Sequence, residues 1–418
     1  MSNETKGLKT VKLIMVTADN NNKYYDMQEN ADGTFTVTYG RVGATATKQN
    51  YPIREWDKKY REKVGKGYKD QTHLFAENTN EIEFADIKVA SVHKLMNELL
   101  RYAKKSVSDN YTVSADQVTR KQVDEAQRLL NSLVNKVQQG MDTKAFNKIL
   151  LDLYQVIPRR MANVNYYLIT TANNDQDIDN INKLIGDEQA TLDVMRGQVE
   201  VNERKKEAQE QGAEGEKLEP ISILQAMGIE VDEVEDEAII AQIKGLMQDE
   251  SDKFVRAFAV RNYKTQKPFE QWLETKANKK LELFWHGSRN ENWISILENG
   301  LVLRPTNAVI TGKMFGYGVY FADKFRKSLN YTSLRGSYWT GGSANQAFLA
   351  LYDVHVGNQF HIKHHESWCY ELNEENLKKK GKDYDSLFAE GGADLRNNEY
   401  IVYNQAQCTI RYLVEVGS

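Results

Sequence analysis

The chain has 418 residues and a formal net charge of −4, with 40% hydrophobic and 27% charged residues. That is an ordinary globular balance, and the length is enough for about two to four domains of roughly 100 to 200 residues each. No run approaches the roughly 18 apolar residues of a membrane span, and the N-terminal MSNETKGLKTVKLIMV lacks the apolar core of a signal peptide.

Two cysteines, Cys369 and Cys408, cannot build a disulfide framework or a Cys-rich zinc site, which fits a reducing compartment. The charge is uneven. Residues 41–70 carry nine Lys or Arg against four Asp or Glu, a local +5. Residues 200–219 carry seven Glu against four Lys or Arg, a local −3. A basic module in an acidic chain is either a polyanion-binding end or a solvated lysine face.

Four short segments open the chain: VKLIMVTA, NKYYDMQE, GTFTVTYGRVG and ATATKQNY. They are rich in β-branched and aromatic residues, with Asn and Gly between them, and predict strands. PIREWDKKYREKVGKG then predicts a helix, with Pro52 near its start and Trp56, Tyr60 and Val64 on one stripe. Tyr24, Tyr25 and Trp56 read as core residues of this small sheet.

Residues 86–200 turn helical. In SADQVTRKQVDEAQRLLNSLVNKVQQG, Ser114 is a candidate N-cap. Val123, Ala126, Leu130, Leu133, Val134 and Val137 follow a 3.6-residue period, and Gly140 is a stop. DTKAFNKILLDLYQVIP predicts a second helix ending at Pro158, and DQDIDNINKLIGDEQATLDVMRGQV one or two more. Residues 200–220 have almost no large apolar groups and read as a linker or a frayed helix end. From 221 to 418 strands dominate, with two or three helices.

The chemistry-bearing motifs lie in this last part. LFWHGSRNENWISILENGL predicts an apolar strand delivering His286-Gly287-Ser288, then a helix burying Trp293, Ile296 and Leu297. In TGKMFGYGVYFADKFRKSLNYT, Gly312, Gly316 and Gly318 leave the backbone open to close approach, and Tyr320, Ser328 and Tyr331 supply two aromatic faces and a hydroxyl. Neither a dinucleotide-binding GxGxxG unit nor a Walker loop is present. NEYIVYNQAQCTIRYL alternates as a strand opening on Glu399, where a carboxylate is ordinarily a solvated end.

WHGSR, TGKMFGYGVYFADKFRKSLNY and NEYIVY, in that order, resemble the catalytic half of the poly(ADP-ribose) polymerase family. AQRLLNSLVNKVQQG, LYQVIPR and QATLDVMRG resemble its helical regulatory domain. TYGRVGATATKQNY resembles a WGR domain with Tyr39 in place of the Trp. The resemblance implies a multidomain α+β protein. A WGR-like nucleic-acid-binding sheet domain would span 1–80, an all-α regulatory bundle 86–200 and a linker 200–220. A mixed, mainly antiparallel ADP-ribosyltransferase domain would span 221–418.

It further implies a protein poly(ADP-ribosyl)transferase that uses NAD+, needs no metal and releases nicotinamide. His286, Tyr320 and Glu399 would form its catalytic set. Glu399 would bind the nicotinamide-ribose hydroxyl and polarise the acceptor, and His286 would bind the adenosine ribose. Gly287 and Ser328 would hold the carboxamide, with Tyr331 and Tyr320 flanking the ring. Ser288 would touch the adenosine ribose, and Arg304 the adenine or pyrophosphate side.

DNA ends, double-stranded or nicked, would be met by Tyr39, Arg41, Lys58, Lys59 and Lys66. Protein acceptors would include the chain itself, and no membrane is involved. Localisation would be nuclear in a eukaryote and cytoplasmic or nucleoid-associated in a bacterium. The alternatives are single ADP-ribose additions, modification of nucleic-acid ends, or a non-catalytic DNA-end-binding scaffold. Families limited to single additions often lack the Glu. His361, His364 and His365 read as a solvated loop, as does LKKKGKD.

Overall fold

A computed structural model describes residues 8–75, 84–110, 118–212, 221–303, 314–334, 344–381 and 383–418. By compactness these fall into two units: residues up to 80 with 105–195, and residues 81–104 with 196–418.

In the first unit the four expected strands form at β1 Thr10–Thr17, β2 Asn21–Glu29, β3 Thr34–Arg41 and β4 Thr47–Pro52. Together with β5 Lys69–Asp70 they make one antiparallel sheet in the order β4-β3-β2-β1-β5. Alternation places Leu13, Tyr25, Met27, Phe35 and Val37 on one face, where Trp56 of helix α1 (Trp56–Gly65) covers them. Val64 is exposed, so the predicted stripe buries Trp56, half-buries Tyr60 and ends there.

Helix α2 is Ala90–Asn110. Helix α3 is Arg120–Gln138, and Thr119 caps it through a reciprocal box with Gln122. This cap replaces the expected Ser114, which lies outside the described residues. The periodic residues from Val123 to Val134 are buried, and Gly140 leaves the helix at φ +100°. Helix α4 (Thr143–Val156) is capped by Asp142.

Helix α5 runs unbroken over Asp175–Gly212. Residues 200–212 are therefore helix where composition suggests a linker. Glu, Lys, Gln and Ala are strong helix formers, and Val201 is a buried anchor. Both α2 and α5 run from one unit into the other.

The second unit opens with α6 Ile223–Met227, β6 Ile229–Glu233, α7 Glu237–Met247, β7 Phe254–Asn262, α8 Tyr263–Glu274 and β8 Leu281–Gly287. Next come α9 Trp293–Asn299, β9 Val319–Phe321, α10 Phe325–Leu329 and β10 Gln346–His355. It closes with β11 Gln359–Ile362, α11 Glu374–Lys378, β12 Ser386–Ala389, β13 Glu399–Val402 and β14 Cys408–Gly417.

Two sheets result, ordered β6-β7-β14-β10-β8 and β11-β12-β13-β9. All pairings are antiparallel except β11 with β12, as expected of a mainly antiparallel domain. NEYIVYNQAQCTIRYL is two strands rather than one. A turn at Gln405–Gln407 sends β13 into the smaller sheet and β14 into the larger. Among the described residues no helix is long and apolar enough to cross a membrane.

Candidate active site

Among the described residues the two sheets meet at one backbone bridge, Trp285 of β8 with Ala322 just after β9. The bridge sets His286 beside the strand that carries Tyr320. The His286 ring lies 6.2 Å from the Phe321 ring and 6.0 Å from that of Tyr352, centre to centre. On β9, Tyr320 is the cross-strand partner of Ile401 in β13. Cross-strand partners share a face, as do residues two apart, so Tyr320 and Glu399 are on the same face.

The Tyr320 hydroxyl accepts from the Phe315 N–H and donates to the Gly316 carbonyl, each at 3.0 Å. Burial pushes its pKa well above the ordinary phenol value, and the Glu399 charge adds to this. Tyr320 is thus a neutral hydroxyl fastened to the loop before its own strand.

Helix α10 closes the site. A Cβ on Gly287 would fall 1.9 Å from the Ser328 carbonyl oxygen, so only glycine fits there. The buried Ser328 hydroxyl donates to the Trp285 carbonyl at 3.2 Å, which leaves it as an acceptor toward any ligand. Partial burial raises the pKa of Tyr331, and the nearby Glu399 carboxylate adds to the effect. Tyr331 is 47% exposed.

The side chain missed at the sequence level is Lys327. Its ammonium donates to Glu399 Oε1 at 2.5 Å and to the Asn398 carbonyl at 3.2 Å. The pair is nearly enclosed, at 17% and 13% side-chain exposure. Glu399 Oε2 is buried with no hydrogen-bond partner among the described residues. A lysine next to Ser328 was the only hint in the sequence.

Other expectations change. Gly316 and Gly318 serve chain packing: a Cβ at either would strike the Leu372 backbone or the Ile401 side chain. Gly312 and Arg304 lie outside the described residues. The Ser288 hydroxyl accepts from Asn292 Nδ2 at 2.9 Å. In α9, Trp293 and Leu297 are buried as expected, while Ile294 rather than Ile296 joins them.

The three clustered histidines diverge. His361 packs on Phe388, His364 faces Asp394, and His365 contacts the Met314 carbonyl. Among the described residues no group of His, Cys, Asp and Glu gathers as a metal site.

In the first unit Arg41 is committed to structure. It makes five hydrogen bonds, to Asn20 and to the carbonyls of Met161 and Ala162, at 2.8 to 3.3 Å. These bonds give Arg41 a structural role, and we set it apart from the DNA-facing lysines for that reason. Tyr39 packs 5.7 Å from Tyr25, ring to ring. The Lys63 ammonium sits over Tyr25 at 4.3 Å, with Tyr68 and Tyr39 at 5.8 and 5.9 Å. Burial lowers its pKa, and neighbouring Lys66 adds to the shift. Lys58 is exposed, Lys59 covers the Tyr51 ring, and Lys66 pairs with Glu62.

Residues 235–418 match the family model described as poly(ADP-ribose) polymerase catalytic domain, and residues 11–74 match the WGR domain. Two proteins of Invertebrate iridescent virus 6 are similar. An "uncharacterized protein 101L" is 34% identical over 191 residues, 46% of this chain and 78% of that protein. A "putative poly [ADP-ribose] polymerase-like 100L" is 34% identical over 170 residues, 39% of this chain and 86% of that protein. Poly [ADP-ribose] polymerase 2 of Homo sapiens is 34% identical over 167 residues, 32% of this chain and 26% of that protein.

Proposed function

The chain belongs to the poly(ADP-ribose) polymerase family and is an NAD+ ADP-ribosyltransferase, and we propose that it extends ADP-ribose chains on protein acceptors, itself included, when its first unit engages DNA ends. The observation that carries the catalytic part is Glu399. It is a nearly enclosed carboxylate with one oxygen held by Lys327 and the other without a partner among the described residues.

Cleavage of the bond between ribose and nicotinamide develops positive charge on the ribose, as in glycoside hydrolysis. A preorganised carboxylate stabilises that charge electrostatically. Oε2 can accept from a ribose hydroxyl or from the attacking acceptor, so one group orients donor and nucleophile together. Lys327 fixes the carboxylate without blocking that oxygen.

His286 would hold the adenosine ribose, with Ser288 beside it. The Gly287 backbone and the Ser328 oxygen would read the carboxamide, and Tyr331 and Tyr320 would flank the ring. NAD+ is consumed as substrate, and this scheme routes no step through a metal. The modules 1–80, 86–200 and 221–418 remain our functional division of the chain.

DNA would meet Tyr39, Lys58, Lys59 and Lys66, a basic face interleaved with tyrosines. The helical segment would restrain the transferase. Supporting this, α5 lies so close to α9 that a Cβ on Gly197 would sit 3.0 Å from three Ser295 atoms. Asn299 also donates to Glu200 at 2.6 Å. The test is automodification with labelled NAD+, with and without blunt DNA, resolved on a gel. A ladder that strengthens with DNA is expected. A single band would reduce the reading to single additions, and no label at all would remove it.

A further inference from the structure

The loop after β8 is stapled by one residue outside the proposed catalytic set. Asn290 is fully buried. Its backbone N–H donates to the Ser333 hydroxyl, and its Nδ2 donates to the Gln346 carbonyl, both at 2.9 Å. Three walls of the pocket converge here. The loop following Gly287 and Ser288 is the first. The turn that carries Tyr331 and ends at Ser333 is the second. The start of β10, whose Leu349 pairs with Gly287, is the third.

Gln346 is itself engaged by helix α2 and by β14. Its Nε2 donates to Glu98 at 2.9 Å and to Glu415 at 2.7 Å, and its Oε1 accepts from the Tyr102 hydroxyl at 3.1 Å. Glu415 in turn is held by Arg256 at 2.6 Å. Gln346 thus offers its side chain to α2 and its backbone to the staple.

We propose that Asn290 is a positioning residue that holds these walls in register, and that Gln346 connects this staple to α2, so that a shift of α2 is read as a change in NAD+ affinity. The inference rests on the pocket assignment above. A ligand contact is not required of either residue. Asn290 sets the distance between the Gly287 backbone and the Tyr331 ring, and a pocket built for a flat ring between two walls depends on that spacing.

Steady-state kinetics on the full chain test it. Asn290→Ala should raise KM for NAD+ roughly three- to tenfold, the worth of one or two hydrogen bonds, with kcat changed less than about twofold. Asn290→Leu keeps nearly the same shape and lacks the Nδ2 donor without burying a charge, so it should show the same split if the alanine variant fails to fold. Combining Glu98→Ala with Tyr102→Phe should shift KM in the parent and leave it unmoved in the Asn290→Leu background.

Tyr331→Ala separates the staple from the pocket assignment beneath it. If it too leaves KM and benzamide affinity untouched, the pocket assignment falls. If it weakens both while folded Asn290 variants keep the parental KM, the staple alone falls. Equal KM shifts from the α2 substitutions in both backgrounds would sink the link through Gln346.

Discussion

Lys327 and Glu399 form a nearly enclosed ion pair at 2.5 Å that leaves Glu399 Oε2 without a hydrogen-bond partner among the described residues. A carboxylate so placed has one oxygen for the scaffold and one for the reaction. The pair joins α10, which carries Ser328, to β13.

Glu399→Gln keeps the shape and removes the charge. NAD+ binding should persist while ADP-ribosyl transfer falls at least about 100-fold, the range for losing one electrostatic stabiliser. Measuring NAD+ affinity beside transfer decides it, and near-normal transfer would end the assignment.

Lys327→Met should lower kcat by about tenfold or more, because the carboxylate loses its tether and its compensating charge. KM for NAD+ should move much less. A variant with unchanged kcat would limit Lys327 to a structural role.

Tyr352 offers a test of stability. Its hydroxyl is buried without a partner among the described residues, so Tyr352→Phe should stabilise the protein by about 1 kcal/mol. Burial pushes the Tyr320, Tyr352 and Tyr403 pKa values well above the ordinary phenol value. Unfolded tyrosines ionise near about pH 10 while these stay protonated, so the folded state holds more protons there. Stability is then full below about pH 10 and falls above it. Tyr352→Phe should lessen that alkaline loss, read from thermal unfolding between about pH 8 and pH 11, a range that brackets the ordinary phenol value.

Arg41 and the helix lysines should separate cleanly. Arg41→Ala should cost about 2 kcal/mol or more of stability, since it removes hydrogen bonds from a charged group. The salt dependence of DNA binding should stay as it was. Alanine at Lys58, Lys59 and Lys66 should flatten the plot of log affinity against log salt by about 0.9 for each phosphate that is no longer neutralised. The opposite pattern, with Arg41 controlling the salt slope, would restore it to the DNA interface.

Gly197→Val places a branched side chain where a Cβ alone already crowds Ser295. If the helices restrain the enzyme, loosening α5 by about 1 kcal/mol should raise DNA-free transfer about fivefold. Transfer unchanged in a folded variant would argue against restraint through this contact. The substitution is a cleaner test than removing residues 86–200, because α2 and α5 both contribute to the second unit.

Local chemistry alone determined much of this protein. Alternating β-branched residues specified the strands of the first sheet. The 3.6-residue period of Val123, Ala126 and Leu130 specified α3, while WHGSR, GVYFAD and NEYIVY pointed to a transferase only through their resemblance to a known family. Such signals act within a few residues, where backbone propensity and side-chain periodicity operate. The tertiary structure decided what long-range pairing decides. Lys327 reaches Glu399 across 72 residues, and Arg41 reaches Met161 across 120. Neither partner is marked by its own neighbourhood, so a lysine beside a serine and an arginine beside a glycine carry no sign of their roles. NEYIVYNQAQCTIRYL reads as one strand because its alternation is continuous. The turn at Gln405–Gln407 is made by capping and by competition between two sheets, which no local pattern records.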